Sequence, residues 1–118
     1  MSDKYYQLPN YSLSDVWKAS SSTSDTSDHQ LQAAPGAGRV LWITKLTVTN
    51  RSAVNTMMTF KNGAGGSTVW QTPMPANGGA VEPFPTPIDV AANTALYFAA
   101  SDNAATLYVS AAGFTTSV

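Results

Sequence analysis

Residues 40–49, VLWITKLTVT, alternate side chains in a period of two, and they lie between two turn signals. That pattern constrains the fold more than anything else in the chain. Alternate β-branched and aromatic positions mark a half-buried strand. One set is Val40, Trp42, Thr44, Leu46 and Val48; the other is Leu41, Ile43, Lys45, Thr47 and Thr49. The first set stays mostly apolar, so Val40, Trp42, Leu46 and Val48 are expected to point inward. The early apolar pair Leu41 and Ile43 predicts that this end is covered on both faces. PGAG (35–38) precedes the strand and NRSA (50–53) follows it, both in turn chemistry.

The rest of the chain repeats this grammar. VNTMMTFK puts Val54, Thr56, Met58 and Phe60 on one face. NGAGG (62–66) then supplies the positive φ of a hairpin, and STVWQT (67–72) returns. PMPANGG reads as a loop. Pro83, Pro85 and Pro87 alternate, so the amide hydrogens they lack all fall on one side of an extended segment. An edge strand, or a strip against another chain, tolerates that; a central strand does not. AANT and SDNA are turns around the last two strands, ALYFAAS and ATLYVSAAGF. Trp42, Phe60, Phe98 and Phe114 are expected in the core; the faces of Trp70, Tyr97 and Tyr108 stay open. No stretch of ten or more residues keeps a 3.6-residue period without Gly or Pro. The pattern predicts an all-β fold for residues 31–118. It is an antiparallel β-sandwich of roughly seven to eight short strands, jelly-roll-like, with a generic sandwich as the alternative.

Residues 1–30 differ. KYYQLPNYSLSDVW is aromatic and irregular, and KASSSTSDTSDHQ is dominated by Ser, Thr and Asp. Small polar side chains offer little to bury. These residues read as an extended N-terminal arm, with a short strand near residues 15–20. Tyr5, Tyr6, Leu8, Tyr11, Leu13 and Trp17 are large for an arm, and amphipathic rings are typical interface anchors. They are expected to contact another chain, whose sheet edge would supply backbone hydrogen bonds. The competing reading lays the arm along its own domain.

Composition narrows the function. Charged residues are only 11% of the 118, less than half the usual ~25%. So uncharged a surface has little repulsion against association. The six basic residues are scattered and the net charge is −1, which argues against nucleic acid and against a polybasic membrane anchor. No segment approaches the ~20 apolar residues of a membrane span. The opening residues lack an apolar run, so no signal peptide is expected. Without cysteine there is no disulfide or thiolate metal site. Asn10-Tyr11-Ser12 and Asn50-Arg51-Ser52 are read as chance glycosylation triplets.

Candidate chemistry is sparse. The lone His29 follows Asp25 and Asp28, but a Ser-His-Asp site needs rigid positioning and an oxyanion hole. A loop histidine is the expectation, with an Asp25/Asp28/His29 metal site the weaker alternative. Glu82, the one glutamate, with Asp89 could suggest a carboxylate pair, but an edge-strand charge that discourages pairing fits better. The Gly clusters are followed by no Lys-Ser/Thr and no helix, so they are turns rather than phosphate cradles. No catalytic, metal or cofactor residue is therefore assigned.

Taken together, APGAGRVLWITKLTVTN, NGAGGSTVW, PFPTPIDVAANTALYF and ATLYVSAAGF resemble small structural proteins of tailed bacteriophages. The resemblance spans residues 34–114 and omits the arm. It implies a jelly-roll-like sandwich on the virion, and within that group a capsid decoration (cement) protein. Such a protein would be non-enzymatic, made in the host cytoplasm and seated on the outer capsid surface. It would bind the major capsid protein at subunit junctions, with itself as a second partner in a homotrimer. Pro83, Pro85 and Pro87 join the arm residues as expected capsid or inter-subunit contacts. The alternative is a head-fibre or tail receptor-binding module that holds a host glycan on exposed Trp or Tyr rings.

Overall fold

The structure, a computed structural model, describes residues 15–117. Eight strands run in order: β1 Val16–Thr23, β2 His29–Gln32, β3 Arg39–Asn50, β4 Thr56–Asn62, β5 Thr68–Met74, β6 Gly79–Asp89, β7 Leu96–Ala100 and β8 Leu107–Ser117. They form two four-stranded sheets of order β1-β8-β3-β6 and β2-β7-β4-β5, paired antiparallel throughout. Successive strands mostly alternate between sheets while the first and last lie side by side. That is jelly-roll topology, in which two Greek keys wrap a two-sheet core. The apolar residues between the sheets include Leu41, Ile43, Leu46, Val48, Met58, Phe60, Leu96, Phe98, Leu107 and Val109, all at most 2% exposed. Each such side chain contributes about 1.5–3 kcal/mol by leaving water.

The turns fall where their residues require. Gly63 and Gly65 take φ of 76° and 69° in the β4–β5 hairpin. Asn77 and Asn93 take φ of 56° and 47° in the turns before β6 and β7. Short polar side chains tolerate that left-handed region better than β-branched ones. The proline-bearing β6 is an edge strand of its sheet, as its missing donors demand.

Three expectations are corrected. First, β3 carries a bulge: pairing with both neighbours shifts between Ile43 and Lys45. The extra residue, Thr44, donates its hydroxyl to the Ala112 carbonyl. One extra residue inverts which side chains face in. Leu41 and Ile43 therefore point inward before the bulge, and Leu46, Val48 and Asn50 after it. The early apolar pair is thus core, and Val40, 6% exposed on the opposite side, keeps this end covered on both faces as expected. Second, Trp42 and Phe114 leave the expected core and stack on each other outside, centroids 6.1 Å apart and 14° from parallel. Third, the Ser/Thr run expected as loop is strand: β1 extends to Thr23 and β2 follows at His29. Backbone pairing to β8 and β7 orders these residues, with Trp17 and Leu31 buried on either side of the run.

Gly113 shows how tightly the bulge is packed. A Cβ there would meet the Trp42 carbonyl oxygen at 1.8 Å and the Trp17 ring at 2.8 Å. Only glycine lets the tryptophan lie flat over β8 at this point.

Candidate interaction surface

The outer face of the β1-β8-β3-β6 sheet collects most of what the core leaves out. Four rungs cross it. From β1 to β6 they read Val16, Phe114, Trp42, Asp89; then Lys18, Ala112, Lys45, Pro83; then Ser20, Ser110, Thr47, Val81; then Ser22, Tyr108, Thr49, Gly79. The large hydrophobics that remain exposed, Val16 at 48%, Val81 at 60% and Tyr108 at 49%, all stand on this face. Single exposed apolar residues need no explanation, but their confinement to one face makes it the candidate interaction surface.

Three open depressions lie along the face. One of about 560 Å³ is lined by Trp42, Pro87, Phe114, Thr116 and Ser117. The Trp42 indole N–H donates to the Thr116 hydroxyl at 2.9 Å, which fixes the ring. A middle depression of about 480 Å³ has Ala112 on its floor with Lys18 and Lys45 on either side. A third, about 370 Å³, is bounded by Ser22, Thr49 and Tyr108. The Arg51 guanidinium sits 5.9 Å from the Tyr108 ring centroid.

β6 borders this face. Between the Ile43–Ile88 and Lys45–Pro83 pairs, β3 advances two residues and β6 five. The surplus, Phe84 to Pro87, swings out of the ladder. Phe84 meets Trp70 edge-on at 5.6 Å, and Trp70 in turn lies against Phe60 at 6.0 Å. This ring series closes the sandwich between β5 and β6, so Trp70 is half-buried rather than free for a ligand.

The expected contact residues divide. Tyr5, Tyr6, Leu8, Tyr11 and Leu13 lie outside the described residues. Trp17, expected as an anchor on another chain, is instead 8% exposed within its own sandwich. Its indole N–H donates to the Phe114 carbonyl at 3.3 Å. Pro83 and Pro85 are exposed and Pro87 half-buried along the β6 rim.

The His29 cluster is better ordered than the sequence implied. His29 is on β2, its ring 5.7 Å from Phe98. Asp25 Oδ1 is 2.8 Å and Ser27 Oγ 3.2 Å from His29, both at Nε2. A catalytic triad needs serine and aspartate on opposite ring nitrogens, so this arrangement cannot pass a proton between them. The hydrogen bond from His29, followed by those from Ser27, holds the Asp25 carboxyl well below the usual carboxylate range. Asp28 turns away to Lys61, at 2.9 Å, and to the Gly65 N–H. The three side chains therefore do not converge, and no group of metal-ligating residues forms among the described residues. Glu82 shares a rung with inward Leu46 and Asp89 with outward Trp42, so they are not a facing carboxylate pair.

The sequence reading missed Asn50, which it placed in a turn. Asn50 is 1% exposed. Its amide donates to the carbonyls of Val54, Met74 and Pro75, and its side-chain oxygen accepts from the Ser52 N–H and hydroxyl. It joins the β3–β4 and β5–β6 connections. An Asn closing an alternating strand at an inward position was the available signal, hidden by the bulge.

No family model matches the chain, and no curated protein does. Solved structures similar to it include a virus-like particle protein of extra small virus from the prawn Macrobrachium rosenbergii, with TM-score 0.37 and 6% identity over 87% of this chain and 80% of that one. The tobacco streak virus coat protein has TM-score 0.37 and 8% identity over 92% and 89%. RmlC from Streptococcus suis has TM-score 0.35 and 15% identity over 96% of this chain and 53% of that one. At these overlaps, what the chain does is argued from its own residues.

Proposed function

We propose that the chain is a non-enzymatic structural component of a virion: a tailed-phage capsid decoration (cement) protein on the outer surface of the head. In this reading it is a homotrimer, made in the host cytoplasm, that binds major capsid proteins at their junctions and stabilises the shell. The observation that carries the reading is the outer sheet face, where exposed apolar side chains gather on a protein otherwise poor in charge. The ring-rich residues 1–14 supply further anchors, and the phage-like motifs of residues 34–114 point to the head. A symmetric oligomer touching several capsomers at once turns weak contacts into avidity. The test is co-sedimentation with particles that lack the protein. The chain is expected in the pellet with the particles, and raised thermal stability of the shell should accompany it. A chain left in the supernatant refutes the role.

One observation favours a second reading. Trp42, Phe114 and Pro87 beside the hydroxyls of Thr116 and Ser117 make a depression of a kind that suits a sugar ring, as a fibre or tail receptor-binding module would need. A glycan array of host polysaccharides separates the two: binding lost in Trp42→Ala supports the module, and silence supports the cement protein.

A further inference from the structure

Half of the Asp, Glu, Lys, Arg and His side chains of the described residues meet in three close pairs. Arg39 bonds Asp15 at 2.7 Å, Lys61 bonds Asp28 at 2.9 Å, and His29 bonds Asp25 at 2.8 Å. Arg51 lies over Tyr108, and Asp102 accepts from Ser101 in its turn. Lys18 and Lys45 have no ion-pair partner among the described residues, and neither do Glu82 and Asp89. Arg51 and Asp102 also lack an ion pair, and the other four are segregated. The two lysines flank Ala112 in the middle of the outer face. The two carboxylates are both on β6, the edge strand that rims it.

The lysines stand two strand spacings apart, roughly 9–10 Å at Cα. On the rim, Glu82 and Asp89 oppose Leu46 and Trp42 of β3. Four residues of strand set them about 13 Å apart along the edge. They also follow opposite faces of β6, so a rim entering a trough edge-on offers one carboxylate to each wall. The same rim is barred from ordinary edge pairing by its prolines, and must make contact through side chains. A two-fold contact of face with face would set lysine against lysine at its centre, which costs energy with nothing to offset it.

We propose that the chain assembles head-to-tail with itself: the β6 rim of one copy, led by Glu82 and Asp89, seats in the Lys18/Lys45 trough of the next. Contacts of this kind join two different patches and close into a ring when the rotation allows. Val81 on the rim and Val16 and Tyr108 beside the trough add the apolar burial that charge alone does not supply. The inference gives the proposed oligomer its contact, and it does not depend on a capsid.

The experiment measures the self-association of the full chain by sedimentation velocity and light scattering. It compares wild type with Lys18→Glu/Lys45→Glu, with Glu82→Lys/Asp89→Lys, and with all four changes together. Melting curves check that each variant folds. Wild type is expected as a discrete oligomer. Each double variant should associate more weakly by about tenfold or more per charge pair, and the fourfold variant should recover. A monomeric wild type, an assembly indifferent to the double changes, or a folded fourfold variant that stays dissociated would each overturn the proposal. Particle co-sedimentation can fail while this result stands, and the reverse, so the two claims separate.

Discussion

At the scale of single residues, the buried polar group is the sharpest determinant. Asn50 donates to three carbonyls at the end of the sandwich, those of Val54, Met74 and Pro75. Replacing it removes the Asn50 donor from all three, and the Pro75 carbonyl keeps only its bond from the Gly78 N–H. Asn50→Ala should lose about 2–4 kcal/mol, read as a lower midpoint in urea at unchanged slope. Ser52→Ala removes one of the two donors to the Asn50 oxygen and the acceptor of the Val54 N–H, both only part-buried, and should cost less. Thr44 matters in a different way. It looks like any member of the alternation, with no glycine beside it to announce a bulge, yet it decides which half of β3 faces the core. That is why Trp42 was legible as a strand residue but not as a surface one. The information sits in the partner strand, where Gly113 makes room, and not within β3 itself.

Among the elements, those with strong alternation were legible and those held by pairing alone were not. β4, β5, β7 and β8 are rich in Val, Met, Phe and Leu, and their turns carry Asn and Gly. β2 offers only HQLQ. Its place is fixed by pairing to β7, by buried Leu31, and by a clasp in which Asp28 accepts from the Gly65 N–H and from Lys61 of β4. The Gly65 amide first and the Lys61 ammonium second hold the Asp28 carboxyl below its ordinary range. A carboxyl depressed in the folded state stabilises above its unfolded value, near 3.9, and that stability disappears as pH falls through the folded value. Urea melts from pH 7 downward should therefore show wild type losing stability below about pH 4. Asp28→Asn should start less stable at pH 7 and fall with a shallower slope. An unchanged acid limb would show that the clasp carries no weight.

For the whole molecule, β1 opens the described fold and ties it to the carboxy-terminal strand β8. It begins at Val16, and Trp17 packs into the sandwich. Deleting residues 1–14 keeps Trp17 and all of β1 and should leave the domain folded, while co-sedimentation with particles weakens. Deleting residues 1–23 removes Trp17 and the neighbour of β8, and should lose several kcal/mol or abolish folding. Circular dichroism melts and the sedimentation assay, run on both truncations, read the two effects independently. The candidate face was only half legible from sequence for the same reason. Val16, Lys18, Lys45, Val81 and Tyr108 are spread across four strands, and antiparallel topology alone gathers them.

That topology also sets a timetable for synthesis. β8 is the last strand to leave the ribosome, yet it occupies an interior place between β1 and β3. Until it arrives, one sheet is two separated ribbons with their amides and carbonyls open to any passing strand. A nascent chain stalled before residue 107 would therefore be a hazard for tangling until the final ribbon slides home.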